Sequence, residues 1–295
     1  MVEIMAVCVG DFFPYLKWID VLRGFIRRLK ETSRELDAFV LQVIEEHKAS
    51  QSDNIGGSSE DMKDFVDILL QLQMNNMLEF ELTEDDVKAI ILDMLIAGIG
   101  TTSLSLEWLM AELVRSPRAM KKAQEEVRRV VGKKPKIDID DINKMDYLKC
   151  VIKETLRLHP PAALLPRATT TTVEIGGYNF PAETRVLINS WAIQRDRSVW
   201  ERPDEFLPER FENSCVDFKG QDFELIPFGF GRRGCPGLAF GVLTMEFVMA
   251  NLLYWFDWKL CSDTTLPEEL DMNEVYGLAV LKKIPLHLKP VVYSP

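Results

Sequence analysis

Ten residues constrain this chain more than any other stretch: Phe228-Gly229-Phe230-Gly231-Arg232-Arg233-Gly234-Cys235-Pro236-Gly237. They set one cysteine in a glycine-rich, locally basic loop. An apolar run from Leu238 to about Trp255 follows at once and reads as a helix. A thiolate at Cys235 would sit among backbone N–H groups, two guanidiniums and the positive end of that helix. All three favour ionised sulfur over the neutral thiol. A sheltered, ionised thiolate is the donor an iron–thiolate bond requires. The glycines let backbone approach a flat, bulky ligand that a Cβ would obstruct.

The bulk of the chain sets wide limits. Its 295 residues suit one large domain or two ordinary ones. Apolar residues make up 47%, enough for a sizeable core. Net charge is −11, from 46 acidic and 35 basic residues, which argues against nucleic acid as the main partner. The five cysteines, Cys8, Cys150, Cys215, Cys235 and Cys261, are widely spaced and form no C-x-x-C pair. That spacing disfavours a zinc site and fits free thiols in a reducing compartment. The most apolar stretch, Ala89 to Gly100, is interrupted by Asp93 and is short for a membrane span.

Periodicity predicts a mainly α chain with small β-sheets. Residues 11–49 read as one helix. Its start gathers Phe12, Phe13, Tyr15, Leu16, Trp18, Ile19 and Leu22, followed by Arg23, Arg27, Arg28 and Lys30. This cluster suits either a helix packed on the core or a surface that meets a membrane interface. Gln51 to Glu60, with Gly56-Gly57-Ser58-Ser59, reads as a loop. Leu82 to Arg115 is a long helix opened by Thr83 and Asp86 and closed by Pro117. At its centre, Ala97-Gly98-Ile99-Gly100-Thr101-Thr102 weakens the helix, each glycine by about 1 kcal/mol relative to alanine. Threonine hydroxyls there can bond back to carbonyls and bend the axis. A ligand lying against the helix, or close helix–helix packing, would explain such a stretch. Ser116 to Val131 and Ile142 to Leu158 are two further helices. Val173-Glu174-Ile175, Gly176-Gly177 and the residues to Ile188 suggest a hairpin. Residues 195–227 read as an irregular, tethered loop. Glu274 to Val292 holds two or three short strands.

Glu154 and Arg157 lie three apart on one helix face, flanked by Cys150, Val151, Ile152, Leu156 and Leu158. Apolar flanks imply burial, and a buried pair needs further hydrogen bonds to offset desolvation. Arg210, in Pro208-Glu209-Arg210-Phe211, is the candidate third member.

Together these segments resemble the cytochrome P450 family of haem-thiolate monooxygenases. Ala97 to Thr102 is similar to the oxygen-binding stretch of its long central helix. Glu154 to Arg157 is similar to E-x-x-R, Pro208 to Phe211 to P-E-R-F, and Phe228 to Gly237 to F-x-x-G-x-R-x-C-x-G in every fixed position. Leu158-His159-Pro160-Pro161 and Asn189-Ser190-Trp191-Ala192-Ile193 look like plant members active in specialised metabolism. The resemblance covers residues 1–295 as a partial domain, from about the family's G helix to its C-terminus. It implies that the N-terminal anchor, the early helices and a Trp- and Arg-bearing propionate helix belong to a missing part. A pocket short of that wall would be wet.

The resemblance implies haem b as cofactor and Cys235 as its iron ligand. Arg233 and Arg167 would pair with haem propionates through charge-assisted bonds. Phe228 would shield the thiolate, and Gly237 would lie against the same group. Glu154, Arg157 and Arg210 would form a structural lock holding the cysteine loop. Thr101 and Thr102 would be catalytic, helping bound dioxygen receive protons. The family usually carries Asp or Glu just before that threonine, where this chain has Gly100. Expected partners are an NADPH–cytochrome P450 reductase, supplying electrons, and a hydrophobic small molecule. Ile90 to Ile99, Ala162 to Leu165 and Tyr276 to Ala279, with Leu164, Leu165 and Leu278, would border that substrate. The family's usual place is the cytosolic face of the endoplasmic reticulum membrane. Two other readings stay open: a haem-thiolate isomerase or dehydratase, motivated by Gly100, and a truncated, non-catalytic product.

Overall fold

The computed structural model describes residues 8–53, 63–75, 80–261, 266–277 and 279–294. It is mainly helical, with four two-stranded antiparallel sheets among the described residues. The chain divides into two compact units, residues 1–100 and 101–295. The division falls inside the longest helix, between Gly100 and Thr101.

The first unit contains α1 (Val9–Phe12), α2 (Lys17–Leu22), α3 (Phe25–Asp53), α4 (Phe65–Met74) and the start of α5 (Glu84–Arg115). The single helix expected over 11–49 is broken twice. Pro14 opens a 3-10 turn, and Gly24 takes φ +68°, where only glycine is unstrained. Asp20 folds α1 back on α2: its carboxylate is buried and accepts from the N–H groups of Val9 at 3.0 Å and Gly10 at 2.7 Å. A small core joins Val40 and Ile44 of α3, Leu69 and Leu70 of α4, and Leu82, Val87 and Ile91 at the start of α5. Sequence periodicity missed α4, whose Asp64–Asp67 capping box starts it. Thr83 and Asp86 exchange backbone-to-side-chain bonds at 3.0 and 3.2 Å, the expected opening of α5. The Gly56–Ser59 stretch lies outside the described residues.

The second unit holds the rest of α5, α6 (Pro117–Val131), α7 (Ile139–Ile142), α8 (Asp146–Leu158), α9 (Ser190–Ile193) and α10 (Leu238–Trp255). Its core forms where α6, α8 and α10 meet, with Ala123, Val127, Leu148, Val151, Ile152, Met249 and Leu253 all sealed from solvent. Both α5 and α10 have the length and apolar character of membrane-crossing helices. In α10, Met245, Met249, Ala250 and Leu253 are buried in this core, whereas Phe240, Leu243 and Phe247 are exposed. The helix expected over 142–158 is two, because Asp138 and Asp141 cap α7 reciprocally and the chain turns at Asn143–Met145 before α8.

Strands β1 (Leu164–Ala168) and β4 (Arg185–Asn189) pair, with Arg167 opposite Val186. β2 (Val173–Ile175) and β3 (Tyr178–Phe180) form a hairpin across Gly176 and Gly177, both at positive φ. Only β2–β3 is that glycine hairpin; β4 pairs with the unforeseen, Pro166-containing β1 instead. β5 (Phe256–Leu260) pairs with β8 (Leu288–Val292), and β6 (Glu274–Tyr276) with β7 (Val280–Lys282). β5 escapes sequence reading because no glycine or proline separates it from α10.

One buried polar cluster ties α5, α8 and β6 together. His159 faces Glu112 through Nε2 at 2.8 Å and Glu274 through Nδ1 at 3.0 Å. Its ring stacks on Trp108 at 4.0 Å and 2°, and Trp108 Nε1 donates to Val280 O at 3.1 Å. Each ring nitrogen thus meets a carboxyl oxygen, one from α5 and one from β6. Glu274, hydrogen-bonded by His159, has its pKa lowered despite the opposing effect of burial.

In the first unit, His47 Nδ1 meets Val43 O at 2.7 Å and Nε2 meets Asp64 Oδ2 at 2.8 Å, joining α3 to the cap of α4. Asp64 holds the His47 pKa above the ordinary imidazole value. A raised folded-state pKa stabilises the fold fully below the unfolded value, about 6.5, and that stability is lost as pH rises through the folded value. Protection of the Asp67 amide against hydrogen exchange should therefore fall as pH rises above about 6.5, more steeply than intrinsic exchange alone accounts for. His47→Gln should abolish that extra pH dependence.

Candidate functional site

The cysteine loop is shaped by backbone. Gly229 and Gly231 take φ +67° and +68°, and Gly231–Arg233 make one 3-10 turn. The loop closes on itself where Cys235 N–H donates to Phe228 O at 2.9 Å and Gly234 N–H to Gly231 O at 3.0 Å. A Cβ on Gly229 would lie 3.3 Å from Arg167 Nη2, so glycine there makes room for a guanidinium. Arg167 reaches in from β1 and donates through Nη2 to Arg233 O at 3.2 Å and through Nη1 to Pro166 O at 2.8 Å. The position of a Cβ on Gly237 is 3.8 Å from Cys235 Sγ. Gly237 is the N-cap of α10 and offers no side-chain cap to its first turn. The Phe228 ring stands edge-on to Phe218 at 5.5 Å, which anchors the start of the loop in the core.

Cys150, Cys215, Cys235 and Cys261 are free thiols. Cys150 is buried on α8, and burial pushes its thiol up to about 11. It stays a protonated core residue at neutral pH. Cys235 is exposed, and the loop that carries it also carries the exposed guanidinium of Arg233, with Arg167 alongside. An accessible thiol with two guanidiniums and a side-chain-free backbone suits a flat, dianionic macrocycle with one soft-donor site on its metal. Cys235, Arg167 and Arg233 are the residues that could hold haem, with Phe228 and Gly237 bordering it.

The second cluster is buried. Glu154 and Arg157, on α8, are both fully enclosed. Arg157 donates Nε to Glu154 Oε2 at 2.8 Å and Nη2 to Oε1 at 2.9 Å. Arg210 adds Nε to Glu154 Oε1 at 2.9 Å, and Leu207 N–H donates to the same oxygen at 2.8 Å. The remaining guanidinium protons go to main-chain carbonyls: Gln194 O at 2.8 Å, Pro203 O at 2.7 Å and Glu205 O at 3.3 Å from Arg157, and Glu201 O at 2.9 Å and Arg202 O at 3.1 Å from Arg210. The three side chains thus meet as the sequence anticipates. Their side-chain hydrogen bonds end on residues 194–207, and among the described residues none runs directly to 228–237.

Thr101 and Thr102 are carried by a different element, α5, where both are half-buried and Thr101 O accepts from Ser105 Oγ at 3.0 Å. The helix runs through Gly98–Thr102 without a break. A Cβ on Gly98 would meet no described atom within 4 Å, so close helix packing does not account for that glycine. Of the substrate-bordering residues, Leu165 is buried and Leu164 exposed, whereas Leu278 lies outside the described residues. A separate cleft of about 770 Å³ lies on α6 and α8, lined by Lys122, Glu126, Tyr147, Cys150, Phe211 and other residues. It does not include the cysteine loop. Sequence reading missed Gln194, which is fully buried beside the Arg157 network; a glutamine in Ile193-Gln194-Arg195-Asp196 carries no local signal of burial.

Replacing Arg157 by Leu would leave Glu154 charged and sealed from water. Urea denaturation should show a loss of about 3–5 kcal/mol. Arg157→Lys, with three donors in place of five, should fall between the two.

A profile of the family described as Cytochrome P450 matches residues 1–289. A phenylacetaldehyde oxime monooxygenase from Prunus mume is 56% identical over 297 residues, covering 100% of this chain and 56% of the relative. Cytochrome P450 71A1 from Persea americana is 56% identical, covering 96% of this chain and 56% of its own length. Desmethylyatein synthase from Sinopodophyllum hexandrum is 52% identical, covering 98% and 58%. The chain spans about half the length of the curated relatives it matches. The glycine-rich cysteine loop, the buried Glu154–Arg157–Arg210 cluster and these matches together place the chain in the cytochrome P450 family, of the plant type.

Proposed function

We propose that the chain is the haem-thiolate half of a plant monooxygenase that inserts one oxygen atom into an apolar small molecule. The single observation that carries this reading is the exposed Cys235 thiol in its glycine-shaped loop, with Arg167 and Arg233 beside it. When bound, haem would supply the binding and cleavage of dioxygen. Cys235 would act as thiolate donor to the iron. Arg167 and Arg233 would fix the group's orientation by pairing with its carboxylates. Phe228 would keep water from the sulfur. Thr101 and Thr102 would hold protons with their hydroxyls. Gly100 supplies no carboxylate to feed them, so an ordered water would stand in for it.

Electrons would come from NADPH through a flavoprotein reductase. The exposed Arg232 and Arg233 offer complementary charge for an acidic partner face. The name of the Prunus relative, an oxime monooxygenase, supports oxygen insertion as the reaction type. Membrane contact fits the exposed Phe13, Tyr15, Trp18 and Leu22 beside Lys17, Arg23 and Arg27. That surface suits the cytosolic face of the endoplasmic reticulum. Gly100 alone favours a second reading, a haem-thiolate isomerase or dehydratase.

Loading the chain with haem, reducing it and adding carbon monoxide tests the reading. The red-shifted thiolate-type Soret band is expected, and Cys235→Ser should lose it. A band that persists in the Ser variant, or never forms in the parent, overturns the assignment of Cys235. Turnover of substrate without NADPH in a reductase-coupled assay would favour the second reading.

A further inference from the structure

The lock grips residues 194–207, and the loop that carries Cys235 begins some twenty residues later. We propose that Gln194 is the positioning residue that joins the two, setting the Cys235 loop in place from the buried α8 network. The proposal rests on the reading of Cys235 as the haem ligand.

Gln194 is fully buried, at the C-cap of α9. Its side-chain amide nitrogen donates to Leu156 O at 3.1 Å and to Arg157 O at 3.0 Å. These carbonyls lie in the last turn of α8, where helix geometry leaves C=O groups without intrahelical partners. Its side-chain oxygen accepts from Ile226 N–H at 2.8 Å. The orientation is dictated by the partners: two carbonyls can be met only by the NH2, and one N–H only by the oxygen. Its own main-chain carbonyl accepts from Arg157 Nη1 at 2.8 Å. Gln194 therefore receives from Arg157 and gives back to it, and holds Ile226 with its remaining acceptor.

From Ile226 the path to Cys235 is short. Ile226 O accepts from Gly229 N–H at 3.0 Å, closing the turn that puts Gly229 at φ +67°. Phe228, inside that turn, offers its carbonyl to Cys235 N–H at 2.9 Å. Leu225, Ile226 and Pro227 are all buried, so the Ile226 N–H has no water to fall back on. Without the Gln194 oxygen it would be a buried donor without a partner, and the turn would shift to find one. Among the described residues no other side chain bonds the Ile226 N–H, and the same Gln194 amide meets the two α8 carbonyls.

Two variants separate this role from general stability. Gln194→Met keeps the volume and removes all three bonds. Gln194→Glu keeps an acceptor for Ile226 and loses the donors to α8. Val127→Ala, in the fully buried face of α6, is the control for a stability loss made elsewhere. The first readout is hydrogen exchange at the Ile226 and Gly229 amides of the chain without haem, at a temperature set equally far below each variant's Tm. Gln194→Met should raise exchange at both amides at least about tenfold over Val127→Ala, and Gln194→Glu should retain most of the protection. The second readout is the share of haem-loaded, reduced, carbon monoxide-bound protein with the thiolate-type band rather than the blue-shifted one. That share should fall several-fold in Gln194→Met and hold in Val127→Ala. Unchanged protection of Ile226 in Gln194→Met, or a band ratio matching the control, overturns the proposal. The exchange arm needs no haem. A parent chain that never takes up haem would count against the proposed function, and exchange would still decide whether Gln194 holds the loop.

Discussion

The bond between Arg157 and Glu154 is the interaction on which the second unit depends. Both side chains are fully enclosed. A bare ion pair in such a place loses several kcal/mol per ion to desolvation, and attraction alone seldom restores it. Here every valence is used. The five guanidinium protons of Arg157 go to the two oxygens of Glu154 and to the carbonyls of Gln194, Pro203 and Glu205. Glu154 accepts in addition from Arg210 and from Leu207 N–H. The pair is thus a hub for backbone that has no other way to be satisfied. Residues 194–207 hold no helix or strand, so their carbonyls need partners from outside. Charge at the centre of that segment replaces the ladder that regular structure would have supplied.

This arrangement explains how an exposed thiol can be held in a fixed place. Loops on a surface are ordinarily the mobile part of a fold. The Cys235 loop is exposed at its tip and buried at its root, where Leu225, Ile226 and Pro227 lie in the core and Phe228 packs on Phe218. Two glycines at positive φ then turn the chain without side chains in the way. The root of the loop is dry, whereas Cys235 and its neighbours Arg232 and Arg233 are exposed, an order that suits preorganisation. Arg167 completes it from a different sheet, so the loop is braced from β1 as well as from the core.

The parts of this site legible in the sequence are those fixed by local chemistry. A cysteine among glycines and arginines ahead of an apolar run states its purpose in ten residues. Glu154 and Arg157 announce their pairing by helical spacing, and their apolar neighbours announce its burial. What stayed hidden depends on distant backbone. Gln194 meets carbonyls 37 and 38 positions before it and an amide 32 positions after it, and nothing in Ile193-Gln194-Arg195 hints at that. His159 hides for the same reason: Glu112 and Glu274 converge on it from separations of 47 and 115. The break at Gly24 is a third case. Apolar periodicity continues on both sides of it, and only the φ of +68° shows that the helix ends and restarts.

The lock is centred on α8, whereas the proposed proton-handling residues Thr101 and Thr102 are carried by α5. In the proposed reading, holding an iron–thiolate geometry would draw on Glu154, Arg157, Arg210, Gln194 and the glycines of the cysteine loop. Delivering protons would draw on the middle of α5, where Gly100 stands in the usual carboxylate position. A carboxylate there would shuttle protons by changing charge; a threonine hydroxyl can only pass on what a water brings. A change at Gly100 therefore leaves every bond of the lock untouched. In the proposed reading, Gly100→Asp would alter the rate of proton delivery while leaving the environment of Cys235 as it is.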